Sequence, residues 1–174
     1  MNNSDKYNGI YRAKVLMTDA LEDDKLGRVR CEVYPMLVGV DTATDLDNVE
    51  GIVTTQLPWA IPAMPLFAGA LTAGSGSFVI PEVESFVWVF FEAGDIYQPV
   101  YFAEAQTAGA GIPSERLTDY PYTKVWKSAG GVIITINDKE GSEKINVLHP
   151  SGSNIQIDSG GNINISGTTV NINT

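Results

Sequence analysis

The chain of 174 residues is poor in the residues that build most small-protein chemistry: it has one cysteine, Cys31, and one histidine, His149. A lone cysteine closes no intrachain disulfide, and a zinc or iron centre formed within one chain needs several His or Cys ligands. Neither a disulfide framework nor such a centre is expected, and no cofactor. Basic residues are also scarce, 11 Lys and Arg against 21 Asp and Glu. Nucleic-acid affinity rests largely on cations that neutralise phosphates, so nucleic acid is not an expected partner. The strongest apolar run, FVWVFF at 86–91, falls far short of the roughly 20 residues a membrane helix needs. The start, MNNSDKYNG, lacks the basic-then-apolar layout of a signal peptide, which predicts a soluble protein made in the cytoplasm.

Familiar motifs fail on their spacing. The glycine-rich TAGSGS has no Gly-Lys-Ser/Thr ending and is not a phosphate loop. The acidic stretch from Asp41 to Glu50 misses the calcium-loop pattern because the required glycine comes one place late, at Gly51, and it reads as a surface loop. Cys31 shares parity with Val29 and Val33 in RVRCEV, the pattern of a small buried core residue.

Charge itself is missing from one end. The whole excess of −10 lies between Met1 and Thr123, and beyond Lys144 the only charged side chain is Asp158. What fills that end is INVLHPSGSNIQIDSGGNINISGTTVNINT, a run of very short alternating segments joined by glycine and serine corners. Ile145 and Val147, Ile155 and Ile157, Ile163 and Ile165, and Val170 and Ile172 fall on one parity, with Asn, Gln, Thr or Asp between them. Each segment therefore has one apolar and one polar face. The pairs recur after 10, 8 and 7 residues, an irregular repeat whose units are too thin to bury their stripe alone. Stacking into a β-helix or prism, with several copies sharing one core, is the expected solution.

The first part has a hydrophobic content that allows a core of its own, in a chain that is 44% hydrophobic overall. A strand is expected from Gly9 to Met17, with Tyr11, Ala13, Val15 and Met17 on one face and Arg12 and Lys14 on the other. RVRCEVYP follows as a second, and FVIPEVESFVWVFFEAGDIYQPVYFAEA reads as two strands around a turn at 93–98. Five short strands with such turns suit an OB-fold barrel. In FVWVFF both parities are apolar, Phe86, Trp88 and Phe90 on one and Val87, Val89 and Phe91 on the other. A small barrel needs only one, so the other is expected to meet a subunit or partner.

Three stretches in this order, RVRCEVYP, LPWA (Leu57 to Ala60) and GSGSFVIPEVESFVWVFFEAGDIYQPVYF (Gly74 to Phe102), followed by the repeat, resemble the central spike of contractile-tail phage baseplates and the related spike of type VI secretion. The resemblance implies an all-β chain, with an OB-fold domain at 7–105 and a needle at 124–174 in which three copies intertwine as a β-helix; between them 106–123, rich in Gly, Pro, Ala and Thr without clear periodicity, reads as a linker. It implies a homotrimer in the tail baseplate of a virion, assembled in the host cytoplasm. Its partners would be a hub protein, a small tip protein and, transiently, the target membrane. Trp59, Phe86, Trp88 and Phe90 would then form trimer or hub contacts. Ile145, Val147, Ile155, Ile157, Ile163, Ile165, Val170 and Ile172 would fill the needle core, the last two also meeting the tip protein. The chain departs from the family in having Glu84-Ser85 where Gly-Asp is common, only a short linker where some members carry a lysozyme domain, and His149-Pro150 in place of a His-x-His tip; a separate hub protein is expected to supply the hub.

Other chemistries were weighed on the residues. Glu82, Glu84, Glu92 and Asp95 would supply the paired carboxylates of a glycosidase, but they lie in or beside strands and turns where solvated acids are ordinary, and no enzyme activity is expected. His149 has the parity of Ile145, so a threefold axis would bring three copies together; a corner residue stacked near Pro150 is the plainer reading. The competing function is a binding module, an OB-fold holding a carbohydrate or protein, with the repeat as its oligomerisation tail.

Overall fold

The computed structural model describes residues 7–40, 52–65, 76–107 and 111–172, so the acidic stretch 41–50 and part of TAGSGS lie outside the described residues. The fold is all-β, in two compact units at 1–111 and 112–174.

The first unit is a closed five-stranded barrel. Strands β1 (Ile10–Thr18), β2 (Val29–Val33), β5 (Trp59–Pro62), β6 (Phe86–Phe91) and β7 (Pro99–Glu104) close in the order β1-β2-β5-β7-β6. All neighbours are antiparallel except β5 and β7. A small parallel pair, β3 (Gly39–Val40) and β4 (Ile52–Val53), stands apart from it. The interior is filled by alternate residues: Ala13 and Val15 from β1, Val29, Cys31 and Val33 from β2, Ala60 from β5, and Val87, Val89 and Phe91 from β6. Alternation puts them there because successive strand side chains point to opposite faces.

The expected inward parity of β1 holds through Val15 and then breaks. The pairing with β2 slips between Val15 and Met17, so one extra residue is taken up, and Leu16 packs against the core. Burial also governs Cys31, whose thiol is pushed up to about 12 by loss of solvent. Asp19, at the end of β1, is fully buried. Its Oδ2 accepts from the Arg28 backbone N–H at 3.0 Å and sits 3.5 Å from Arg28 Nε. Nearby, the Tyr101 hydroxyl donates to the Gly27 carbonyl at 2.6 Å.

The second unit is one antiparallel meander: β8 (Thr123–Lys127), β9 (Ile133–Asn137), β10 (Lys144–Leu148), β11 (Asn154–Ile157) and β12 (Ile163–Ser166), each paired with the next. The corners follow one plan. Gly131, Gly141, Gly152 and Gly161 all have φ between 75° and 91°, the left-handed turn position that glycine occupies without steric cost. At three corners the first residue also takes a backbone N–H on its side chain: Ser128 from Val132, His149 from Ser151 and Asp158 from Asn162. Within one chain these strands make an open sheet with free edges at β8 and β12. The segment 112–122, which contains a 3₁₀ turn at Ser114–Leu117, belongs to this unit and is tied to β8 by Lys127 and Glu115 at 2.7 Å.

Candidate functional site

The surfaces that stand out are apolar and belong to separate units. On the barrel, β6 turns Val87, Val89 and Phe91 inward and leaves Phe86, Trp88 and Phe90 half-buried on the outside. Register with β1 places Ile10 opposite Phe90, Arg12 opposite Trp88 and Lys14 opposite Phe86. The Arg12 guanidinium lies 5.4 Å from the Trp88 ring centre, and the rings of Phe90 and Phe102 are 6.0 Å apart. The result is an outer aromatic stripe edged by cations. Ile10 and Phe102 belong to it and were missed in the sequence; they lie on β1 and β7, the two strands that flank β6.

Trp59 is placed elsewhere. It lies on β5, which β7 separates from β6, and its ring sits beside the guanidiniums of Arg30 at 4.3 Å and Arg28 at 5.4 Å. Its register partner is Arg30, which explains the stacking. The structure thus brings Phe86, Trp88 and Phe90 together and leaves Trp59 apart.

In the second unit the register collects nearly every apolar repeat residue on one face. Ile145 pairs with Ile136 and Ile157, Val147 with Ile134 and Ile155, and Ile157 and Ile155 pair with Ile163 and Ile165. Trp126 extends the face at β8. This face is open: Trp126 is 60% exposed, Ile155 50% and Ile163 66%. The opposite face carries Thr135, Asn137, Asn146 and Gln156, all buried or half-buried. Burial is therefore inverted over β9–β11, with the polar side covered and the apolar side bare. Val170 and Ile172 are exposed too and belong to no strand, because their alternation finds no ladder in the same chain to join.

The polar side is held by ion pairs and amide bonds. Asp119 accepts from Asn137 Nδ2 at 2.9 Å and pairs with Lys139, and these bonds lower its carboxyl below the usual range. Glu115 is lowered mainly by its bond to Lys127, and Asp158 by bonds from the Asn162 amide groups. At the His149 corner, Nδ1 accepts the Ser151 N–H at 3.2 Å, and Pro150 packs against Gly131.

The four candidate catalytic acids all lie at the surface. Glu82, Glu84, Glu92 and Asp95 are exposed; Glu84 pairs with Lys14 at 2.6 Å, and Asp95 accepts from Tyr97 N and Gln98 Nε2 within its turn. Among the described residues no cluster of three or more His, Cys, Asp or Glu is arranged to hold a metal, and no helix is long and apolar enough to cross a membrane. A scan of the sequence against protein-family models finds no match, and a search of curated proteins finds none either. What these surfaces can do, on their chemistry, is associate: each offers apolar area bounded by fixed polar groups.

Proposed function

We propose that this chain is one subunit of a homotrimeric spike at the centre of a contractile injection machine. In this reading the barrel is an OB-fold collar, three copies of the β8–β12 sheet close their apolar faces into a needle, and Ile145, Val147, Ile155, Ile157, Ile163 and Ile165 form its dry core. The observation that carries the reading is the inverted burial of the second unit. An open face of isoleucine and valine on a five-stranded sheet is costly in water, about 25 cal/mol for each Å² left exposed, and self-association of three such faces removes it. The barrel supports it through its strand order, in which the third and fifth barrel strands run parallel, and through the stripe of Phe86, Trp88 and Phe90, which suits a hub protein. Val170 and Ile172 would meet a small tip protein. Function here is transmission of force through a rod, since bending a closed needle breaks many backbone hydrogen bonds together.

Mass measurement in dilute buffer, followed by electron microscopy of the purified chain, tests this. A trimer with an elongated rod is the expected result; a monomer with a folded second unit would refute it.

A further inference from the structure

The covered side of the second unit holds a cavity of about 170 Å³ between the sheet and the segment 112–122. A volume of that size equals roughly five or six water molecules at about 30 Å³ each. It is half-open to solvent, with room for part of a small organic molecule.

Its lining is ordered in three rows by the strand register. At one end Lys144 stands beside Asn137. In the middle, Thr135, Asn146 and Gln156 form a single cross-strand row. At the other end Ile133 and Leu148 face each other. Residues two apart on a strand are separated by roughly 7 Å, so the slot runs from cationic through amide and hydroxyl to apolar over little more than the length of one small molecule.

Three polar side chains around the slot are already committed. Asn137 is bonded to Asp119 and to the Lys139 N–H, Glu115 to Lys127, and the Thr123 hydroxyl to the Thr118 carbonyl. Lys144 is different: among the described residues its ammonium makes no ion pair, and the neighbouring Asp119 carboxylate is engaged by Asn137 and Lys139. Asn146 keeps an enclosed Oδ1 without a hydrogen-bond partner. A half-buried cation that shares the Asp119 carboxylate with Lys139 and lies beyond contact distance of it, next to an under-satisfied amide, is a local deficit that a ligand can correct.

We infer that this slot binds a small carboxylate that carries an amide and a short apolar group: the carboxylate on Lys144, the amide in the row of Thr135, Asn146 and Gln156, and the apolar end against Ile133 and Leu148. Two sources share that chemistry, the C-terminal residue of a peptide and an N-acylated acidic sugar. The site lies on the face opposite the one used for assembly, so it stands or falls independently of the spike reading.

The test uses the full chain and two probes, N-acetyl-leucine and N-acetylneuraminate, titrated while the side-chain amides of Asn146 and Gln156 are followed by ¹H–¹⁵N NMR. Saturable shifts with either probe are expected, and the probe that binds more tightly identifies the source. Lys144→Gln should weaken binding about tenfold or more, as loss of a charge-assisted bond does, and N-acetyl-leucinamide, which lacks the carboxylate, should bind correspondingly worse. Lys144 lies at the sheet rim and the variant's fold is checked by its circular dichroism. No shift with either probe overturns the proposal, as does equal binding of the amide analogue or of Lys144→Gln. The oligomeric mass of the same sample reports separately on the spike reading.

Discussion

Among single residues, Glu84 shows most directly what the sequence could and could not reveal. It adopts φ 73°, the left-handed region, in the turn that leads into β6, where its N–H donates to the Val15 carbonyl at 2.8 Å. A residue with a Cβ pays about 1–2 kcal/mol there, partly offset for glycine by its greater freedom when unfolded. Its ion pair with Lys14 is exposed on the carboxylate side and contributes little. Glu84→Gly should therefore raise the unfolding free energy by up to about 1 kcal/mol, read as a higher midpoint in urea; a lowered midpoint would show that the turn is not strained. Asp158 gives a second residue-scale expectation. Its carboxyl is lowered in the folded chain by the Asn162 and Gly160 donors, so its stabilising effect is present above the unfolded carboxylate range and is lost as pH falls through the folded value. Glu115 and Asp119 act in the same sense. An acid titration of the second unit followed by circular dichroism should show unfolding that begins at lower pH than the ordinary carboxylate range, and Asp158→Asn should make that limb shallower.

At the scale of elements, β6 is the strand that serves two surfaces. Trp88→Asp or Phe90→Asp should reduce association of the barrel with its partner far more than Arg12→Ala, because a charge buried without a counterion at an interface costs several kcal/mol, on the order of 3–5. A pull-down in which Trp88→Asp and Arg12→Ala behave alike would count against an interface on this stripe. The two parities of FVWVFF were legible in the sequence because strict alternation needs no tertiary information. The repeat strands were legible for the same reason, down to the membership of Ile145, Ile155 and Ile163 in one face. The slip at Leu16 was not legible, since a bulge is set by how β1 must bend to pair with β2 on one side and β6 on the other. The place of Trp59 was also hidden, because it follows from the order β5-β7-β6, which no local pattern encodes. The slot beneath 112–122 was missed for a simpler reason: that segment lacks periodicity, and a covering strap is visible only when its sheet is present.

For the whole molecule, the decisive expectation is that exposing the apolar sheet face and losing assembly are the same event. Ile155→Asp, at the centre of the face between Val147 and Ile165, should abolish the trimer while the barrel keeps its own cooperative unfolding. Retention of full trimer mass in this variant would show that the copies meet elsewhere. The interchangeable corners have a further consequence. Each has a left-handed glycine, and three of the four also have a first residue whose side chain holds a following amide. Each added strand widens the sheet by about 4.8 Å. Insertion or deletion of one hairpin after a glycine corner would then change its span by about 10 Å in a single genetic step, so the repeat behaves as a ruler whose graduations are written in glycine.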